Sequence, residues 1–183
     1  MRKKIGLIVV LLSSVLAATL VLGATAYWGQ PRAVYVGYKF QATLVDPVVT
    51  TTINPPYMIV DGYRPPAGIV SCNLTINNKT YVYPQDFSYQ ETFHVEANQA
   101  TGKSIMQVTT TFIFNLPGHP VLTEYLTQQA TRSGPNTTVD DSVFYLTGTR
   151  AFNKVEGGGF TTSYGVDGTD YAIHIGLIKG WPF

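Results

Sequence analysis

Cysteine is almost absent from this chain: Cys72 is the one thiol in 183 residues. No internal disulfide can form, so packing and backbone pairing must supply the stability. A small buried apolar role suits a lone thiol of this kind better than a bridge between chains. Charge is also scarce, at 13% of residues. Three of the 12 basic residues are Arg2, Lys3 and Lys4, which leaves nine against 11 acidic ones. There is no basic stripe, and nucleic acid is excluded as a partner on that ground. The three histidines, His94, His119 and His174, lack metal-ligand spacing, so no metal is expected. Glu156-Gly-Gly-Gly159 lacks the lysine and helix start of a phosphate loop, and no Gly-x-Ser-x-Gly elbow occurs. No cofactor is expected. Beyond the first residues no segment carries a helical apolar stripe, and no repeat of fixed period is visible.

What is present begins at the N-terminus. A basic cluster, Met1 to Lys4, precedes an uncharged apolar run from Ile5 to Gly23, which leads into Ala24-Thr25-Ala26. This is the pattern of an export signal with a small-residue cleavage site. The run of about 19 residues is also long enough to span a bilayer as an uncleaved anchor, with the basic residues inside. A pilin-type filament helix is a third reading, though Lys4-Ile5-Gly6 fits its processing junction poorly. The organisation expected is residues 1–26 as signal peptide or membrane anchor and 27–183 as one extracytoplasmic β domain. Contact with a membrane is then limited to residues 1–26, and only if they are retained. Three Asn-x-Ser/Thr sequons, at Asn73, Asn78 and Asn136, suit a secreted or cell-surface glycoprotein.

After the leader the dominant period is two. Val34, Val36, Tyr38, Phe40, Ala42 and Leu44 alternate with more polar residues and predict a long strand with one apolar face. Val48 to Ile53 predicts a second strand, stopped by Pro55-Pro56. Tyr57 to Val60 reads as a short strand and Asp61 to Pro66 as a turn-rich connection. Ile69 to Tyr83 reads as a hairpin about Asn77-Asn78, because asparagine tolerates the left-handed backbone of a tight turn. Pairing Ile76 with Lys79 sets Leu74 opposite Tyr81 and Cys72 opposite Tyr83, and turns Asn73 outward. Strands follow at Phe87–Glu96, Ser104–Asn115, Ser142–Thr149, Gly159–Tyr164 and Asp170–Lys179. Val121 to Ala130 reads as strand, with helix as the alternative. Eight to ten short-spaced strands predict an all-β domain, a single antiparallel β-barrel with a β-sandwich as the alternative.

Leu146-Thr-Gly-Thr-Arg-Ala-Phe-Asn-Lys-Val-Glu-Gly-Gly-Gly159 resembles a local motif of the dirigent and allene-oxide-cyclase barrel superfamily. Gly148, Thr149, Arg150 and Phe152 match its first half, and Val155, Gly157 and Gly159 its second. Ala151 stands where the motif departs, and a second glycine is missing. The resemblance covers about 15 residues. It implies an eight-stranded barrel, often trimeric, with an apolar cavity and with Phe152 plugging one end. It transfers no activity.

Glu91 shares a strand face with Phe87, Tyr89, Phe93 and Val95. A carboxylate enclosed among such residues is a candidate general acid or base, and Arg150 is the candidate partner. Tyr89, Phe93 and Phe112 are candidate cavity-lining residues, beside the plain reading that they are core. His94 reads as solvated, His119 as a turn residue and His174, between Ile173 and Ile175, as outward-facing. The function expected is a secreted or cell-surface, non-enzymatic domain with a structural, adhesive or binding role. The alternatives are a barrel that binds or cyclises a small apolar ligand and an extracellular filament subunit. A homo-oligomer is the other partner that the sequence allows. The apolar end, Ile175 to Phe183, can either donate a strand to a neighbouring subunit or complete its own sheet.

Overall fold

Alternation sets the first strand. In β1, Tyr35–Val45, the side chains of Tyr38, Phe40, Ala42 and Leu44 are buried while their neighbours point outward. A computed structural model describes residues 34–133, 136–166 and 169–183, with side chains at all of these except 133–141 and 164–168. Residues 1–26, and with them the signal, anchor and filament-helix readings, lie outside the described residues. The Asn136 side chain does too. Among the described residues no helix is long and apolar enough to cross a membrane.

Ten further strands follow: β2 Val48–Asn54, β3 Tyr57–Arg64, β4 Ile69–Ile76, β5 Lys79–Val82, β6 Phe87–Asn98, β7 Lys103–Phe114, β8 Val121–Ser133, β9 Asn136–Thr149, β10 Glu156–Val166 and β11 Thr169–Lys179. All belong to one antiparallel sheet in the order β2-β3-β6-β7-β8-β9-β10-β11-β1-β4-β5. The domain is therefore all-β. The segment 121–130 is strand, not helix: Leu122, Glu124, Leu126, Gln128 and Ala130 are buried in alternation, at period two. The connection expected over 61–66 is instead strand as far as Arg64, followed by a 3-10 turn at Pro66–Gly68. The Asn77-Asn78 turn is as expected, with φ of 50° and 64°, and Ile76 pairs Lys79 as Leu74 pairs Tyr81. Asn73 and Asn78 are exposed.

The first and last strands pair along their full length, from Tyr35 opposite Lys179 to Val45 opposite Thr169. β11 is thus held on one side by β1 and on the other by β10. Of the two roles open to the C-terminal segment, β11 takes the second and completes the sheet of its own chain. Trp181 beyond it packs on Tyr81, Phe114 and Phe152.

The sheet curls until distant strands meet face to face. Phe40 of β1 stacks on Tyr89 of β6 and meets Phe112 of β7 edge-on, with ring centroids 6.0 and 5.3 Å apart. Phe87, Phe112, Phe114 and Phe152 are all fully buried. Each such side chain contributes about 1.5–3 kcal/mol by leaving water, and their edge-to-face contacts add to it. Phe152 sits in the 3-10 turn Arg150–Phe152 that joins β9 to β10. A Cβ on Gly148 would lie 2.1 Å from the Phe152 carbonyl oxygen, so only glycine lets this turn close. Among the described residues no ladder joins the edge strands β2 and β5. Side chains complete the curl instead: Arg64 of β3 donates to the Val45 carbonyl at 3.0 Å and to Asp170 of β11 at 2.9 Å.

Candidate functional site

The inner faces of the curled sheet do not fill the space between them. A cavity of about 720 Å³ remains, walled by Phe40, Leu44, Phe93, Met106, Val108 and Leu126. That size suits a small organic molecule.

A polar belt crosses this apolar wall. Arg64 on β3 is directly opposite Glu91 on β6, Glu91 opposite Thr110 on β7, and Thr110 opposite Glu124 on β8. Directly opposed residues share a face of the sheet, so four neighbouring strands place one polar side chain each at the same inner level. Arg64, Thr110 and Glu124 are buried, and the Glu91 side chain is 10% exposed.

Two hydrogen-bonded clusters form along the belt. In the first, Arg64 Nε donates to Glu91 Oε1 at 3.2 Å, and the Tyr89 hydroxyl donates to Glu91 Oε2. Arg64 Nη2 donates to Asp170, whose side chain is half exposed at the cavity mouth. Burial opposes the charge on Arg64, but Glu91 and Asp170 outweigh that effect and raise its pKa. In the second cluster the Tyr38 hydroxyl donates to Glu124 Oε2 at 2.8 Å, and His174 Nδ1 lies 2.6 Å from Glu124 Oε1. Burial first, then the adjacent carboxyl, holds both phenols well above the ordinary tyrosine value: Tyr38 beside Glu124 and Tyr89 beside Glu91.

His174 lines the cavity, whereas Glu124 behind it does not. Its Nε2 makes no hydrogen bond among the described residues and is not sealed from open space. The pairing to Glu124 fixes the ring and leaves that nitrogen open to a second partner. The Gln128 amide, which accepts from Ser163 at 3.3 Å, also lines the space with Thr110.

No protein-family model matches the chain, and no curated protein matches it in sequence.

The candidate residues fall as follows. Glu91 does face the interior, but its partner is Arg64. Arg150, the expected partner, is exposed, and its guanidinium donates to the carbonyls of Gly118 and His119 at 3.1 and 2.7 Å. Phe93 lines the cavity, while Tyr89 and Phe112 are packed into the aromatic core. His94 lies on the outside between Asp61 and Glu96, whose hydrogen bonds raise its pKa in that order. His119 is a turn residue with φ of 44°. His174 is buried at 5% exposure, the reverse of the outward placement expected. Cys72 is a free, buried thiol whose pKa burial pushes up. Among the described residues no cluster of His, Cys, Asp and Glu could hold a metal ion.

Arg64, Thr110, Glu124 and Asp170 were not legible as a group. Glu124 carried a usable signal: it sits between Leu122 and Leu126 at period two, as Glu91 does between Tyr89 and Phe93. Arg64 carried none, because Pro65-Pro66 next to it reads as loop.

Proposed function

We propose that this chain is an extracytoplasmic β domain that takes up a small, neutral, largely apolar molecule in its interior. The observation that carries the reading is the 720 Å³ cavity with largely apolar walls and a polar belt on one level, whose charged members are paired. A belt of this kind orients a ligand's polar end while the walls hold its apolar body. The cavity also selects on charge. Among the described lining residues Arg64 is the sole Arg or Lys, and it already faces Glu91 and Asp170. A ligand carboxylate finds no unpaired cation there, so a neutral ligand is preferred. Residues 1–26 support export, and the outward Asn73 and Asn78 suit glycosylation. A barrel of the cyclase or dirigent kind is the finer version of this reading, supported by the cavity and by the burial of Phe152 in the β9–β10 connection.

Nile red, a neutral apolar dye, tests the proposal. Fluorescence should rise saturably with the intact domain and fall at least tenfold in apparent affinity in Val108→Trp or Leu126→Trp, which fill the cavity. Unchanged binding in both variants, each confirmed folded by circular dichroism, would refute an interior site.

A second observation favours self-association. Phe160 is 72% exposed on the outer face of β10, directly opposite Val143 on β9 and Ile175 on β11. Tyr145 and Leu177, also exposed, lie opposite Gly158 on either side. An apolar outer patch of five such residues suits a homo-oligomer.

A further inference from the structure

Resting on the ligand-binding reading, we propose that the cavity performs proton transfer on a neutral, largely apolar carbonyl compound, with His174 Nε2 as the base. The geometry asks for such a role. A histidine, a glutamate and a tyrosine are buried together beside Phe40, Phe144 and Leu126. Packing alone has no need of this chain, and burying its polar groups costs energy that only their mutual hydrogen bonds offset. Its order is that of a positioned base: Tyr38 holds Glu124, Glu124 holds Nδ1 of His174, and Nε2 is left for whatever enters. Glu124 and Tyr38 are positioning residues, because they reach the cavity only through the imidazole.

The same cavity supplies donors for the oxygen. The Thr110 hydroxyl is directly opposite both Glu91 and Glu124 on the inner face, and Gln128 lies two residues along β8 from Leu126. Proton removal from the carbon next to a carbonyl leaves the negative charge on that oxygen, where such donors stabilise it. The step balances within the substrate. Nε2 takes the α-proton, the C–H electron pair becomes a carbon–carbon double bond, and the carbonyl π pair moves to oxygen. The imidazolium then returns the proton to the same carbon or, in a conjugated compound, to the γ-carbon as the enolate collapses. Substrate and product are isomers, so no oxidant, reductant or second substrate takes part. The charged groups facing this chemistry are Glu124 behind the ring and Arg64, Glu91 and Asp170 along the cavity.

The test uses 2-tetralone, a neutral apolar ketone with acidic α-hydrogens, in deuterium oxide. NMR follows loss of the α-proton signal, and displacement of Nile red follows binding in parallel samples. The intact domain should accelerate exchange saturably over buffer. His174→Gln should lose the acceleration roughly a hundredfold or more while still displacing the dye. Glu124→Gln should retain dye displacement and KM while lowering kcat, a split that a merely structural role would not produce. Should His174→Gln fail to fold, His174→Ala decides: added free imidazole must restore the exchange that this variant loses. Exchange no faster than in buffer, full activity in a folded His174→Gln, or no rescue of His174→Ala by imidazole overturns the proposal. If Nile red binds the cavity and 2-tetralone neither displaces it nor exchanges, this inference fails and the ligand-binding reading stands. If Nile red itself ignores the cavity-filling variants, that reading fails first.

Discussion

Glu124→Leu removes the centre of the Tyr38–Glu124–His174 chain and gives the sharpest test of how the interior is held. Glu124 is 1% exposed and accepts from Tyr38 at 2.8 Å, with His174 Nδ1 at 2.6 Å. Leucine fits an apolar wall but leaves the Tyr38 hydroxyl and the imidazole without a partner. Each orphaned buried group costs about 1–3 kcal/mol. His174 touches the cavity and recovers part of its loss from water, so the expected destabilisation is about 2–4 kcal/mol. Tyr38→Phe alone should cost about 1–2 kcal/mol, since Glu124 keeps His174. The double variant should cost less than the sum by about 1–2 kcal/mol, because the stranded phenol is gone. Urea titration at constant m-value reads all three differences. Additivity within about 0.5 kcal/mol would refute the reasoning, since residues in one buried network must couple.

Two further outcomes follow from the same side chains. Tyr38 and Tyr89 have folded-state pKa values raised above the unfolded value near 10, so their stabilising effect is complete below that pH and is lost as pH climbs towards the folded values. Urea titrations above about pH 10 should show stability falling by up to ~1.4 kcal/mol per pH unit for each phenol, and Tyr89→Phe should flatten that slope. On the outer face, Phe160→Asp should shift the domain to monomer in sedimentation equilibrium without altering Nile red binding; a mass unchanged by the substitution would exclude that patch as the contact.

Much of the fold was legible because a strand with one polar face declares its other face. The rows Tyr38-Phe40-Ala42-Leu44 and Phe87-Tyr89 are buried as their alternation predicts. Glu91 was placed inside by the same reasoning. The rule fails where both faces are apolar. In β11 the exposed Ile175 and Leu177 lie on the outer patch, while His174 and Ile178 point inward. Hydropathy gives that strand no phase, so alternation predicts an outward histidine where the structure has it buried. Arg64 was hidden for a different reason: Pro65 and Pro66 end the strand immediately after it, and proline next to a charged residue reads as loop.

By itself the sequence determined what is local. Period-two alternation and turn residues such as Asn77-Asn78 specify strands and hairpins, and a lone cysteine rules out a disulfide framework. Only the tertiary structure decided which strands became neighbours. Pairing β3 with β6 set Arg64 opposite Glu91, and curling the sheet brought Arg64 to Asp170 of β11 and Glu124 of β8 to His174 of β11. Backbone hydrogen bonds are alike for any strand order. The choice among orders rests on how inner faces pack, and that is settled by long-range contacts no window of sequence contains.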